Sequence, residues 1–208
     1  MRNWALFLVS GLVFWLVFSC QKKEEMFRTD SGEARVLISE PVMISSISCP
    51  LCQRAVLACG IKEDAGVEFN QVLELVFSEY GFEVIKARIG DDKVVPELRV
   101  IDWLKLARGL QTNYLVIPVV YCYSERKGSG ASASEPAEVG FHFHIFEVSS
   151  GKEVWGGDFR ERQKALSENL LELNKFIKRK AKWLKAEELA REGVKEMVRE
   201  FLKASKKE

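Results

Sequence analysis

Apolar positions along this chain fall into segments of distinct period, and the periods predict the elements. "ARVLISEPV" (34–42) is apolar and β-branched and predicts a first strand. "DAGVEFNQVLELVFSEYG" (64–81) places Val67, Phe69, Val72, Leu73, Val76, Phe77 and Tyr80 largely on one stripe at 3.6-residue spacing, which predicts an amphipathic helix. Asp64 stands at its N-cap and Gly81 where a C′ glycine belongs. "FEVIKARI" (82–89) predicts a strand. "PELRVIDWLKLARGL" (96–110) predicts a helix with Pro96 in its first turn. "NYLVIPVVYCY" (113–123) is apolar on both faces, as in a buried strand, and Pro118 marks a bulge or a local edge.

Past a small, polar loop (124–138), "VGFHFHIFEV" alternates, with Val139, Phe141, Phe143 and Ile145 on one face. "SSGK" (149–152) turns the chain into "EVWGGDF", so a hairpin is expected. Helical patterns follow over 167–183 and 186–204, the second with Ala190, Val194, Met197, Val198 and Phe201 on its apolar face. The order is β-α-β-α-β, an antiparallel hairpin, then C-terminal helices. It predicts a single α/β domain with a mixed sheet flanked by helices, over residues 34–208. The segment 45–63 has no clear period and is expected to be a loop with at most a short helix.

The N-terminus follows a different pattern. Behind Arg2 lies an apolar run, Ala5 to Phe18, of 14 residues. A membrane-spanning helix needs about 20. A short apolar core behind a basic end, closing on a small residue, predicts a signal peptide over 1–19. Leu16-Val17-Phe18-Ser19-Cys20 resembles a bacterial lipobox, in which Cys20 receives a diacylglycerol before cleavage. The resemblance implies a protein held to a membrane by acyl chains, palmitate among them, on Cys20. Gln21 in place of aspartate resembles the outer-membrane sorting pattern, with the domain facing the periplasm. Residues 20–33 are polar, cannot bury enough surface to fold alone, and serve as a tether.

Removal of residues 1–19 leaves 30 basic and 30 acidic side chains. Without a basic excess, nucleic acid is not an expected partner. Cys49, Cys52, Cys59 and Cys122 remain beside Cys20, and in an oxidising compartment they are disulfide candidates. Three complete pairings are open, with a bridge involving Cys49 or Cys52 expected.

"YGFEVI", "ARGLQTNYLVIPVV" and "FEVSSGKEVWGG", in this order, resemble a group of bacterial lipoprotein domains. The group comprises the curli-secretion lipoprotein, the penicillin-binding-protein activator lipoprotein and the N-terminal domain of the TolB protein. The resemblance spans roughly residues 34 to 204 and rests on hairpin and core positions. It implies a non-catalytic binding or assembly module of the cell envelope, with other envelope proteins or further copies of itself as partners. The insertion "SCPLCQRAVLACG" is not part of that pattern.

Cys49 and Cys52 form a Cys-x-x-C, which supplies a reducible disulfide or half of a zinc site. Thiol–disulfide catalysis is the rival function, supported by the preceding strand and by "VIPVV", which resembles the proline-bearing strand beside the active site of thioredoxins. No tryptophan precedes Cys49 and no strong helix follows Cys52, so a structural disulfide is the simpler expectation. A full zinc site finds no paired motif for its third and fourth ligands. His142 and His144 are the only histidines, and their spacing puts both rings on one strand face, where both can bind one metal. The simpler expectation is a polar face opposite Phe141 and Phe143, without metal or other cofactor. A metal-binding envelope protein is the third reading.

Overall fold

The computed structural model describes residues 28–29, 32–86, 100–163, 179 and 182–206. The leader, Cys20, most of the tether, Pro96 and nearly all of the helical pattern over 167–183 lie outside the described residues.

The elements are β1 (Arg28–Thr29), β2 (Gly32–Glu33), β3 (Arg35–Ile38), β4 (Val42–Met43), α1 (Ala65–Glu79), β5 (Glu83–Lys86), α2 (Val100–Gly109), β6 (Tyr114–Ser124), β7 (Lys127–Gly128), β8 (Ala133–Glu135), β9 (Glu138–Glu147), β10 (Glu153–Arg162) and α3 (Ala186–Ser205). The main sheet runs β10-β9-β6-β3-β5, and β4 also pairs with β6. β3 and β4 lie parallel to β6, β9 runs antiparallel to β6, and β10 runs antiparallel to β9, so the sheet is mixed. The α/β class and single-domain architecture expected from the pattern are those of the structure.

α1 ends as its sequence dictates. Gly81 adopts φ +86°, which a side chain would resist. The Gly81 N–H donates to Ser78 O (3.0 Å) and the Phe82 N–H to Phe77 O (3.1 Å), the bonding of a Schellman motif. The Phe77 and Phe82 rings meet 5.5 Å apart and close the same turn. Asp64 occupies the N-cap position without a side-chain capping bond. Val67 departs from the expected stripe. It faces solvent, while Phe69, Val72, Leu73, Val76 and Phe77 are buried.

Each face of the sheet has its own cover. α1 and α3 pack on one side over Phe69, Phe141, Phe143, Val194 and Phe201. α2 packs on the other over Leu37, Leu115, Ile117 and Phe146. Farther along that second face, the segment 44–62 takes the place of a helix and packs Val56 against Tyr121 and Cys122.

β6 is long, and short pieces share one of its edges. Ser39 N donates to Val116 O (3.0 Å), Ile44 N to Val120 O (2.9 Å), Cys59 N to Tyr121 O (3.0 Å) and Lys62 N to Tyr123 O (3.0 Å). Pro118 sits opposite the break between β3 and β4, so the ladder tolerates its missing donor there. The bulge falls later, between Val120 and Cys122.

The hairpin forms with its turn at Ser149 to Lys152. Glu147 N donates to Lys152 O (2.9 Å), and Gly151 takes φ +69°. Val139, Phe141, Phe143 and Ile145 lie in the core under α1 and α3. The opposite face of β9 differs from expectation. His142 and His144 are 4% and 1% exposed, because the segment 44–62 covers them.

A candidate metal centre between a loop and the hairpin

The site begins with a tight turn. Ser48 and Ala55 bridge antiparallel, Cys49 N donates to Arg54 O (2.9 Å), and Gln53 N donates back to Cys49 O (3.0 Å). Gln53 closes the turn with φ +60°, an uncommon conformation for a residue other than glycine. Burial raises the Cys49 thiol pKa, with the backbone of Cys52 and Leu51 opposing the rise in part.

β9 supplies the other half. Alternation along the strand places the His142 and His144 rings side by side, with centroids 4.5 Å apart. Cys49 Sγ lies 3.3 Å from His144 Nε2, and Cys52 Sγ lies 3.7 Å from His142 Nε2. One donor atom from each of the four residues falls within 4.8 Å of the other three. Cys49 is buried and Cys52 is exposed, so the cluster reaches solvent at one corner.

The far nitrogens of both rings face carboxylates on β10. His144 Nδ1 lies 2.8 Å from Glu153 Oε1, and His142 Nδ1 lies 3.7 Å from Asp158 Oδ1. Burial lowers the His144 pKa, with Glu153 pulling the other way. A neutral His144 that donates its Nδ1–H to Glu153 presents the Nε2 lone pair toward Cys49. Asp158 accepts a hydrogen bond from the Tyr121 hydroxyl (3.0 Å). Burial pushes its carboxyl up, but His142 and Tyr121 outweigh that and hold it below its ordinary range. Tyr121 is the residue skipped by the β6 bulge, and its ring lies where a side chain at Gly140 would stand, 2.4 Å from that position.

The structure thus brings together Cys49, Cys52, His142 and His144. Cys59 and Cys122 form a disulfide that ties the segment 44–62 to β6, whereas Cys49 and Cys52 are free thiols. The expected bridge through Cys49 or Cys52 is therefore corrected: each of those sulfurs faces a histidine, and Cys59 is the one laid beside Cys122. Glu153, Asp158, Tyr121 and Gly156 were not found from the sequence. The signal was the hairpin register, which sets Asp158 opposite His142 and Gly156 opposite His144.

No protein-family model matches the chain, and no curated protein matches it. Solved structures do share its fold. The PelC dodecamer from Paraburkholderia phytofirmans superimposes with a TM-score of 0.51 at 13% identity, over 83% of this chain and 89% of that one. Lipoprotein GNA1162 from Neisseria meningitidis matches at a TM-score of 0.43 and 14% identity, over 71% and 94% of the two chains. The LpoB C-terminal domain from Escherichia coli matches at 0.41 and 10% identity, over 63% and 84%. The chain thus shares its fold with PelC.

Proposed function

We propose that this protein is a lipid-anchored, non-catalytic binding or assembly module of the bacterial envelope, held at Cys20 to the outer membrane with its domain facing the periplasm. The observation that carries the reading is the pairing of a lipobox-like leader and polar tether with a fold shared with PelC, a protein whose solved form is a dodecamer. Assembly through other envelope proteins or further copies of this chain follows from that fold by analogy. The thiol–disulfide rival needs an accessible thiol of lowered pKa. Cys49 is buried and its thiol is raised by burial, which favours the non-catalytic reading.

Metabolic labelling with a fatty-acid analogue tests the anchor: the wild type takes the label and Cys20→Ala does not. Cross-linking in intact cells, followed by purification from membranes, tests assembly. A ladder of multiples or a fixed set of envelope proteins is expected. Equal labelling of both forms removes the anchor, and a monomer with no cross-linked partner removes the assembly role. Turnover of a disulfide substrate that is lost in Cys49→Ser would establish the rival instead.

A further inference from the structure

We propose that Cys49, Cys52, His142 and His144 form a tetrahedral site for one Zn²⁺ ion, which clamps the segment 44–62 onto the sheet. The distances carry the assignment. Zinc bonds of about 2.3 Å to sulfur and 2.0–2.1 Å to nitrogen, set tetrahedrally, place neighbouring donor atoms about 3.3–3.8 Å apart. The two sulfur–nitrogen distances, 3.3 and 3.7 Å, match edges of such a tetrahedron. Two thiolates and two imidazoles suit this borderline-soft ion.

The surroundings fit a metal better than they fit two isolated thiol–histidine contacts. The tight turn closed by Cys49 N to Arg54 O and Gln53 N to Cys49 O presents both sulfurs to the histidine pair. Each histidine turns its far nitrogen to a carboxylate, as metal-bound histidines do. Among the described residues, His142 Nδ1 is buried without a hydrogen bond, and Asp158 Oδ1 lies 3.7 Å from it. Binding releases the two thiol protons to solvent, and the resulting Zn²⁺ with two thiolates carries no net charge, which suits a buried position. Four protein ligands fill the coordination sphere, so the ion's role is structural. The covered segment lacks helix or long strand and needs such a fastening.

The full chain, purified in detergent, stripped with a chelator and handled without oxygen so that Cys49 and Cys52 stay thiols, is titrated with CoCl₂ and then with ZnCl₂. One equivalent of Co²⁺ should give the visible bands of a tetrahedral site with thiolate charge transfer, and Zn²⁺ should displace it. Zinc K-edge absorption should count two sulfur and two nitrogen neighbours, a reading that needs no variant. Cys52→Ser, at the exposed corner, should lose the thiolate bands while keeping the Cys59–Cys122 bridge, and Glu153→Gln should weaken Zn²⁺ binding by about 10–100-fold. Reduced, folded wild type that gives no tetrahedral spectrum overturns the site. So does a Cys49–Cys52 disulfide in protein taken unreduced from cells, or a zinc neighbour count without sulfur.

Discussion

Gly156 stands opposite His144 in the β9–β10 ladder, and the space that a side chain there would fill holds the Glu153 carboxylate. A methyl group at Gly156 would lie 2.8 Å from Glu153 Oε1, with the next atom, Phe143 O, at an ordinary 3.5 Å. Only a flexible carboxylate has to move. Gly156→Ala should therefore leave the fold intact while displacing Glu153 from His144. Zinc affinity, read by competition with a chelating dye, should fall by about 10–100-fold, as for loss of an outer-sphere partner. An unchanged affinity would show that the Glu153 contact is dispensable.

Phe143 tests the opposite face of the same strand. It is fully buried, 5.0 Å from the Phe141 ring and 6.4 Å from Phe69. Phe143→Ala should cost about 3–5 kcal/mol in urea unfolding. His142→Ala should behave differently, with a loss that depends on whether zinc is present. Equal losses for His142→Ala with and without zinc would separate the histidine face from metal binding.

The Cys59–Cys122 bridge spans a sequence separation of 63 and fastens the segment 44–62 to β6. Replacing both residues by serine should cost about 2–4 kcal/mol. Proteolysis should then enter that segment before it enters α1 or the hairpin. Mapping of the first cleavage sites by mass spectrometry checks the order.

Glu79 couples the helix pair to pH. It sits on α1 and pairs with Arg191 and Lys195 of α3, the latter at 2.8 Å. Burial pushes its carboxyl upward, but the two cations outweigh this and hold it below the ordinary value. A depressed folded pKa contributes stability above the unfolded value of about 4.3, and that stability is lost as pH falls through the folded value. Glu79→Gln should thus flatten the decline in stability on acidification below about pH 5. The pair is partly exposed, so the effect should stay within about 1 kcal/mol. Chemical denaturation at successive pH values measures it.

Much of the fold was legible because its signals are local. The stripe on α1, the glycine after it and the alternation in β9 each depend on residues within a few turns or one strand. Val67 misled because a stripe assigned by spacing has blurred edges, and only the docking of α3 decides which flank of α1 stays wet. The metal centre was legible only in halves. Cys-x-x-C and His-x-His are each visible as pairs, but their meeting depends on which sheet face the segment 44–62 covers. No local period records that choice. The same gap hid the disulfide, since Cys59 and Cys122 become neighbours only once residues 59–62 run beside β6.

That arrangement has a consequence in time. Cys52 precedes His142 by 90 residues and Cys49 precedes His144 by 95. During synthesis the thiols emerge long before the strand that receives them. This corner of the molecule should therefore close late, after β6 and the hairpin have joined, because loop closure over so long a stretch has to be supported by contacts already made. Pulsed alkylation during refolding should find Cys49 and Cys52 reactive after the hairpin amides have become protected from exchange. Simultaneous protection would mean that the thiol turn docks with the nucleus instead. A late-closing corner also leaves an interval in which the cell's thiol chemistry, rather than the finished fold, decides which sulfur finds which partner.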